Sequence, residues 1–413
     1  MGGSEGPPAV HDERAVGRGS FRSRPSTHLA QDDRWGAVVA NVVAFQHAHA
    51  SIEIRPEASC RDLRRAGVAT YVVFQLPPFG GRFEGERLAR MRRSPEFIEG
   101  RFENTPRQKT DSSLVKTYRL YSQGQVREPR FAIPVVPVSL AAPASRELRA
   151  IWFGHASVLV ELDGVRIMTD PVFSDVVSPV PPIGPERLHR PPMALRDVSG
   201  IDAVVISHDH YDHLDMKTVQ HLAPQGTHFY VPLGIGAHLE RWGVPLAQIH
   251  ELDWWQEAEL KGVRITCTPA RHYSGRKRMN NPTLWASWTI RGSRRAVYFS
   301  GDTGYAGHFR EIRRRLGAID LALIKVGAYG ETWLDIHMAP ESAVQAHVDL
   351  DAKTLLPIHW ATFDLSYHAW DEPILRTLAA AKAKGVHVIT PRIGEAFTYG
   401  QEFQSSAWYA ASR

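Results

Sequence analysis

The sequence contains little cysteine and no long apolar run. Only Cys60 and Cys267 occur among its 413 residues, too few for the disulfide framework of a small secreted protein. No stretch reaches the roughly 18 consecutive apolar residues that cross a bilayer. The sequence therefore argues against a disulfide scaffold and a membrane-spanning helix, and the two thiols are compatible with a reducing compartment.

Neither sign of charge dominates the chain. Its 49 basic and 44 acidic residues give a formal net charge of +5, a mild excess that suits an anionic substrate or a membrane surface. Basic residues interleaved with aromatic ones, as nucleic-acid binding requires, do not cluster, so we expect no nucleic-acid partner. The 20 histidines are more informative, because imidazole is the commonest metal ligand in proteins.

Composition divides the chain into four parts. Residues 1–60 are rich in Gly, Ser, Pro and Arg near their start and lack periodicity, which predicts disorder. Residues 61–145 are interpreted as an N-terminal extension that wraps or links, 146–400 as the main domain and 401–413 as a tail. Within the extension, AGVATYVVF (66–74) looks like a signal-peptide core but lies far from the first residue. We expect a strand or a surface-lying segment there and a cytoplasmic location, with export as the alternative.

From residue 149 onward, short β-rich runs such as SVLVEL and DAVVISH recur, with helix-like stretches between several of them. This order predicts an α/β domain with layered sheets. Four of the runs end close to a histidine or an aspartate, namely His208, His272, Asp302 and His359. Ligands of α/β proteins bind beyond the carboxyl ends of strands, so we expect these side chains to meet.

The segment SHDHYDHLD (207–215) is the densest group of metal-ligating side chains. In an extended segment His208 and His210 point to the same side, whereas Asp212 and His213 follow the turn and can reach a second point. This spacing suits two metal ions better than one and fits a helix-borne zinc motif only loosely. With the residues after the other strands, the candidate ligands are His208, His210, Asp212, His213, His272, Asp302 and His359.

SHDHYDHLD resembles the HxHxDH signature of the metallo-β-lactamase superfamily. That resemblance implies an αββα sandwich, with two mixed β-sheets flanked by helices, over residues 146–400. WFGHASVLVELDGVRIMTDPVFSDVVSP (152–179), SGDTGY (300–305) and PIHWATF (357–363) are similar to the N-acylphosphatidylethanolamine-hydrolysing phospholipase D family. PPFGGRFEGERL (77–88) is also similar to the amino-terminal lead-in of bacterial members of that family.

The resemblance implies two Zn²⁺ ions per chain and a phosphodiesterase of phospholipase D type. Its expected reaction is hydrolysis of N-acylphosphatidylethanolamine to N-acylethanolamine and phosphatidic acid. Asp302 would bridge the ions, Asp212 would also orient the nucleophile, and His337 would bind a phosphate oxygen or protonate the leaving alkoxide. The ligands of the first ion would be His208, His210 and His272, and those of the second Asp212, His213 and His359.

Two tyrosines, Tyr211 and Tyr273, are candidate substrate-binding residues together with His337. Tyr273 stands where relatives are expected to have Trp, and Ile336 precedes His337 where some relatives have a polar residue. Both departures leave the acyl-chain preference open.

A phospholipid substrate also implies peripheral contact with a membrane. Trp254, Trp255, Trp333 and the apolar loop SPVPPIGP (178–185) are candidates for that contact, because Trp favours the membrane interface. Burial in the core is the alternative for the tryptophan pair. The family resemblance further implies a homodimer.

Two other functions compete with this interpretation. The first is another hydrolase of the same fold, either a sugar-phosphate lactonase or a nuclease. Against the nuclease, the basic run REIRRR (310–315) falls in a predicted helix. The second is a non-catalytic zinc-binding protein, which the presence of all seven candidate ligands disfavours.

Overall fold

A computed structural model describes residues 1–2, 74–110, 119–120, 122 and 125–410 of the chain. The disorder predicted for residues 1–60 falls outside these residues except for the first two, and the segment 66–74 falls outside them except for Phe74. The described part of the extension contains helix α1 (Gly85–Arg93) and a short hairpin of β1 (Phe97–Ile98) and β2 (Arg101–Phe102).

The first of two large sheets has seven strands. In chain order these are β3 (Arg149–Gly154), β4 (Ser157–Leu162), β5 (Val165–Thr169), β6 (Ala203–Val205), β7 (His228–Pro232), β8 (Ile249–Leu252) and, near the carboxyl end of the chain, β15 (Ala396–Thr398). Their spatial order is β15-β3-β4-β5-β6-β7-β8. Strands β5 to β8 are parallel to one another, and β15, β3, β4 and β5 pair antiparallel.

The second sheet has six strands. They are β9 (Glu257–Leu260), β10 (Val263–Thr268), β11 (Ser287–Arg291), β12 (Ala296–Phe299), β13 (Ile319–Lys325) and β14 (Ala352–Ile358). Their spatial order is β14-β13-β12-β11-β10-β9. Strands β12, β13 and β14 are parallel, whereas β9 to β12 pair antiparallel.

Alternating side chains of the first sheet pack into two different apolar clusters. On β3, Ala150 and Trp152 lie in the cluster that includes residues of both sheets, whereas Ile151 and Phe153 lie in the cluster on the outer face of the first sheet. This alternation follows from the two-residue period of a strand. Trp288 of β11 connects the sheets directly, because its Nε1 donates to the Ile206 carbonyl at 2.9 Å.

Helices cover the outer faces. Residues of α2 (Met216–Leu222) and α3 (Gly236–Arg241) pack on the first sheet. Residues of α4 (His308–Leu316), α5 (Pro340–Asp349) and α6 (Glu372–Lys384) belong to the apolar cluster of the second. The predicted αββα sandwich of two mixed sheets is therefore confirmed.

The chain after β15 returns to the core. Trp408 stacks on Trp360 with ring centroids 5.1 Å apart, and Trp360 stacks on Trp152 at 5.5 Å. Trp408 and Tyr409 are both buried. Residues close to the carboxyl end of the chain thus pack beside the ends of β3 and β14.

The strand directions place six chain segments at one edge of the sandwich. In the first sheet β3, β5 and β6 run the same way, and in the second β10, β12 and β14 do so. The residues that follow these strands can therefore approach one another across the two sheets, as in other sheets whose ligand sites lie beyond the carboxyl strand ends.

Candidate metal centre

Three buried histidines form the first group of candidate ligands. His208 and His210 follow β6, and His272 follows β10. His208 Nε2 lies 2.8 Å from His210 Nδ1, and His272 Nε2 lies 3.3 Å from the same nitrogen. One ligand atom from each of the three falls within 4.8 Å of the other two, which is compact enough for all three to bind one ion.

The second group combines two histidines with a carboxylate. His213 Nε2 lies 3.1 Å from His359 Nε2. Asp212 Oδ2 lies 3.4 Å from the former nitrogen and 3.6 Å from the latter. His359 comes directly after β14, so this group joins segments of both sheets.

Asp302 lies between the two groups. Its Oδ1 is 3.0 Å from His359 Nε2, and its Oδ2 is 3.4 Å from His213 Nε2 and 3.8 Å from His272 Nε2. One carboxylate therefore reaches ligand atoms of both groups, as a bridging ligand must. The structure brings all seven predicted ligands together, and their binding of metal stays a prediction.

The donor set fits divalent cations. A neutral imidazole has one nitrogen that carries no proton, and several such nitrogens face one another here in a buried space. Burying ionised carboxylates without a compensating cation is costly. Imidazole nitrogens and carboxylate oxygens are also ligands that zinc accepts. Cations at this position would bind the unprotonated nitrogens and would neutralise the carboxylates.

Electrostatics at the site favours the neutral form of two of the histidines and the ionised form of Asp302. Burial holds the pKa of His208 and of His272 well below the ordinary histidine value, so their nitrogens are free to coordinate. Burial would raise the pKa of Asp302, but His359 and His213 outweigh it and hold that pKa well below the usual range. At His213 burial instead opposes protonation, but the charges of Asp302 and Asp212 raise the pKa of this histidine well above normal. The carboxylates thus attract positive charge to this point.

Asp170 and Ser207 orient two of the candidate ligands from behind. Asp170 Oδ2 lies 2.6 Å from His213 Nδ1, and Ser207 Oγ lies 2.9 Å from His208 Nδ1. The Ser207 N–H in turn donates to Asp170 Oδ1 at 2.7 Å. Such contacts fix the tautomer and the ring orientation of a metal-binding histidine. Sequence reasoning did not select either residue.

His155 is a further site residue that sequence reasoning missed. Its Nε2 lies 3.0 Å from Asp212 Oδ2, and its ring centroid is 3.9 Å from that of His359. The main-chain N–H of His359 donates to the carbonyl oxygen of His155 at 2.8 Å. His155, Asp170 and His359 all have positive φ, at 52°, 32° and 64°, a conformation that side-chain-bearing residues adopt at a cost and often at functional sites.

We expect His155→Asn to reduce kcat/KM about 10–100-fold, the usual cost of losing a group that orients a metal ligand. Asparagine tolerates positive φ, so the backbone should be retained while the imidazole contact with Asp212 is lost. The measurement is steady-state hydrolysis together with metal content. His387→Asn, at an exposed position, is the control. If His155→Asn were as active as this control, His155 would not contribute to the function of the site.

The three predicted substrate contacts have different surroundings. His337 Nδ1 lies 3.8 Å from Asp302 Oδ2, and the side chain is partly exposed, so it borders the candidate ligands. The Tyr273 ring packs against His210 and His272 at 4.5 and 4.6 Å. The Tyr211 hydroxyl donates to the Arg276 carbonyl at 2.9 Å and is buried. Substrate binding by these residues stays a prediction.

Asp215, the last residue of SHDHYDHLD, has a structural role. Its side chain caps α2 by accepting from the Lys217 N–H at 3.2 Å and from the Thr218 hydroxyl at 2.7 Å. It also accepts the main-chain N–H groups of Phe173 and Ser174, both at 3.1 Å. This carboxylate thereby joins the loop after β5 to the loop that carries the ligands.

Comparisons with known proteins agree with this geometry. A family model described as the beta-lactamase superfamily domain matches residues 165–360. An uncharacterized protein of Mycobacterium tuberculosis is 46% identical over 312 residues, which are 73% of this chain and 84% of that protein. A Caenorhabditis elegans protein named N-acyl-phosphatidylethanolamine-hydrolyzing phospholipase D 1 is 37% identical over 268 residues, 60% of this chain and 75% of that protein.

A solved structure shares the fold. It is described as a possible metal-dependent hydrolase from Veillonella parvula, with a TM-score of 0.50, 16% identity and coverage of 61% of this chain and 99% of that one. The chain belongs to the β-lactamase superfamily. It is a hydrolase of the metallo-β-lactamase fold with clusters of histidine and aspartate suited to metal ions.

Proposed function

We propose that the protein is a dinuclear zinc phosphodiesterase of phospholipase D type that hydrolyses N-acylphosphatidylethanolamine to N-acylethanolamine and phosphatidic acid. The observation that carries the proposal is the position of Asp302 between two separate groups of ligand atoms, 3.0 Å from His359 Nε2 and 3.8 Å from His272 Nε2. A carboxylate shared in this way supports a two-metal site. Two-metal sites are common in enzymes that cleave phosphate esters.

The relatives support the choice of substrate. The Caenorhabditis elegans protein that is 37% identical to this chain carries N-acylphosphatidylethanolamine hydrolysis in its name. A Saccharomyces cerevisiae protein with the same activity in its name is 32% identical over 233 residues, which are 49% of that protein. The charge of the site also suits a phosphodiester, because two divalent ions exceed the charge of the carboxylates of Asp212 and Asp302.

The protein's own residues supply orientation and proton transfer. When bound, two zinc ions supply Lewis acidity and activate water near neutral pH. Asp212, which His155 contacts at 3.0 Å, would hold the attacking water by accepting its hydrogen bond. His337 is placed to donate an N–H to a non-bridging phosphate oxygen or to the departing alkoxide. His337 Nδ1 lacks a hydrogen-bond partner among the described residues, so it is free to form this hydrogen bond with the substrate.

The test is mass spectrometry of the products that the purified protein forms from a defined N-acylphosphatidylethanolamine in detergent micelles. In water enriched in oxygen-18, the proposed cleavage at phosphorus places the heavy oxygen in phosphatidic acid and leaves N-acylethanolamine unlabelled. A chelator should abolish turnover, and added Zn²⁺ should restore it.

The same preparation should be offered a lactone and an oligonucleotide. Faster turnover of either, without phosphatidic acid from the lipid, would reject the proposal in favour of a lactonase or a nuclease. Heavy oxygen in N-acylethanolamine would reject cleavage at phosphorus.

Apolar residues next to the site could bring it to the membrane. Leu334 and Ile183 are 44% and 39% exposed. Leu334 lies three positions before His337, and Ile183 lies in the loop after β5, whose Val172 and Val177 pack against Tyr211. Trp254 is committed elsewhere, because its Nε1 donates to the Trp285 carbonyl at 2.8 Å. Among the described helices, none combines the length and the apolar character that crossing a bilayer demands.

We expect the double substitution Ile183→Asp and Leu334→Asp to weaken binding to phospholipid vesicles about thirtyfold, since each exposed apolar side chain contributes roughly 1 kcal/mol at an interface. Vesicle flotation measures this. Leu246→Asp is the matched control: Leu246 is 64% exposed but precedes β8, at the opposite edge of the sheet. Equal flotation of both variants would contradict docking through these loops.

A further inference from the structure

The segment PPFGG (77–81) of the extension contacts α3 and Arg276, which in turn contact the ligand-bearing loop. The Gly81 N–H donates to His238 Nδ1 at 2.9 Å. A β-carbon at Gly81 would collide with the carbonyl oxygen of Ala237, and one at Gly80, where φ is 81°, would collide with the His238 ring. Glycine at both positions therefore permits the close approach of this segment to α3.

His238 connects Gly81 to the loop that carries His208 and His210. Because its Nδ1 accepts a hydrogen bond, the proton of the neutral ring is on Nε2, which faces Asp209 Oδ2 at 3.4 Å. The other oxygen of Asp209 accepts the Gly275 N–H at 2.7 Å. Asp209 is fully buried and stands between the candidate ligands His208 and His210. Fixing its carboxylate restricts both neighbours.

Arg276 makes a second connection between the same two segments. Its Nε donates to the Pro78 carbonyl at 2.7 Å, and its Nη1 donates to the carbonyls of Asp209 at 2.8 Å and Leu214 at 3.0 Å. The guanidinium also lies 3.9 Å above the Tyr211 ring. One buried side chain thus holds residues on both sides of the ligands His210 to His213 and joins them to the extension.

The extension reaches the third histidine of the first group as well. Asn104 is buried, and its Nδ2 donates to the His272 carbonyl at 2.7 Å. The neighbouring Arg271 donates from Nη1 to the Pro106 carbonyl at 2.6 Å. The extension therefore contacts His272 directly, and it is connected through His238 and Arg276 to Asp209, which lies between His208 and His210.

We propose that residues 77–106 brace the first metal position, with Arg276 and His238 as positioning residues that hold the loop in its ligand-binding conformation. The proposal rests on the dinuclear site proposed above and adds that the two positions differ in their dependence on the extension. Loss of the brace should weaken binding at the position formed by His208, His210 and His272 more than at the other. Groups that orient metal ligands typically contribute 10–100-fold to metal affinity.

The test compares Arg276→Met with Arg166→Met in the full chain. Arg166 is a matched control, because it is 7% exposed against 6% for Arg276 and also donates to main-chain carbonyls, those of Leu140 and Ala142. Arg166 lies near the amino end of β5, away from the candidate ligands. Gly81→Ala tests the same contact from the extension, should Arg276→Met fail to fold.

Metal occupancy is measured at a series of buffered free Zn²⁺ concentrations, and the visible absorption of the Co²⁺-loaded protein reports ligand geometry. We expect one of the two binding steps to need at least tenfold more free Zn²⁺ in Arg276→Met and in Gly81→Ala than in the wild type, and we expect the Co²⁺ spectra of both variants to change, with Arg166→Met unchanged. Wild-type occupancy and spectra in Arg276→Met and Gly81→Ala would contradict the proposal that the extension supports the first metal position. Equal losses in Arg166→Met would also contradict it. Neither measurement uses a lipid, so failure of the proposed phospholipase activity would be seen separately.

Discussion

Asp302→Asn should abolish hydrolysis, with kcat/KM reduced at least a thousand-fold and metal content below two ions per chain. Metal assistance supplies several kcal/mol of transition-state stabilisation, and each 1.36 kcal/mol corresponds to a factor of ten in rate. Asp302 contacts ligand atoms of both groups, so one substitution affects both positions. Activity and metal content of the purified variant test this.

The control for this substitution is Asp163→Asn. Asp163 lies in the turn between β4 and β5, at the opposite edge of the sandwich, with φ of 53°. Asparagine suits that conformation and keeps an acceptor, so activity and metal content should equal those of the wild type. If Asp302→Asn retained both as well, the dinuclear mechanism would be wrong.

Removal of the metal should lower the unfolding temperature by roughly 10 °C. A ligand present at about 1,000 times its Kd stabilises the folded state by about 4 kcal/mol, and each kcal/mol shifts the unfolding temperature of a large domain by about 2–4 °C. Without cations the partly exposed carboxylate of Asp212, the buried carboxylate of Asp302 and the facing histidine nitrogens remain uncompensated. Calorimetry before and after chelation, and after readdition of Zn²⁺, measures the shift.

The same chelation applied to Asp302→Asn serves as the comparison. Its unfolding temperature should respond less, because the variant binds less metal at the outset. An unchanged unfolding temperature in the wild type after complete metal removal would contradict a metal contribution to the stability of the fold.

The sequence predicted the candidate ligands because they obey a local rule. His272, Asp302 and His359 each follow an apolar strand, and His208 to His213 form a dense motif. The αββα fold followed from the resemblance carried by that motif, and the strands and the two-sheet arrangement agree with it. Convergence at one edge was predictable from the common direction of strands that end in a ligand.

His155 and Asp170 were missed although the same rule applies to them, since they follow β3 and β5 directly. The sequence would have predicted both residues if every His or Asp that directly follows an apolar run had been taken as a candidate ligand. The contacts of Arg276, His238 and Asn104 are different: each joins residues far apart in sequence through main-chain carbonyls or N–H groups. No residue pattern records such contacts, because every residue type has the same main-chain groups.

The order of the ligands along the chain has a consequence for biosynthesis. The first lies at residue 208 and the last at 359, and Trp408 must still stack on Trp360 beside that last ligand. A nascent polypeptide therefore cannot bring all seven candidate ligands together while most of the second sheet is still inside the ribosome. Occupancy of both proposed metal positions therefore requires the synthesis of β14, which precedes His359, whereas the three histidines of the first group are complete at residue 272.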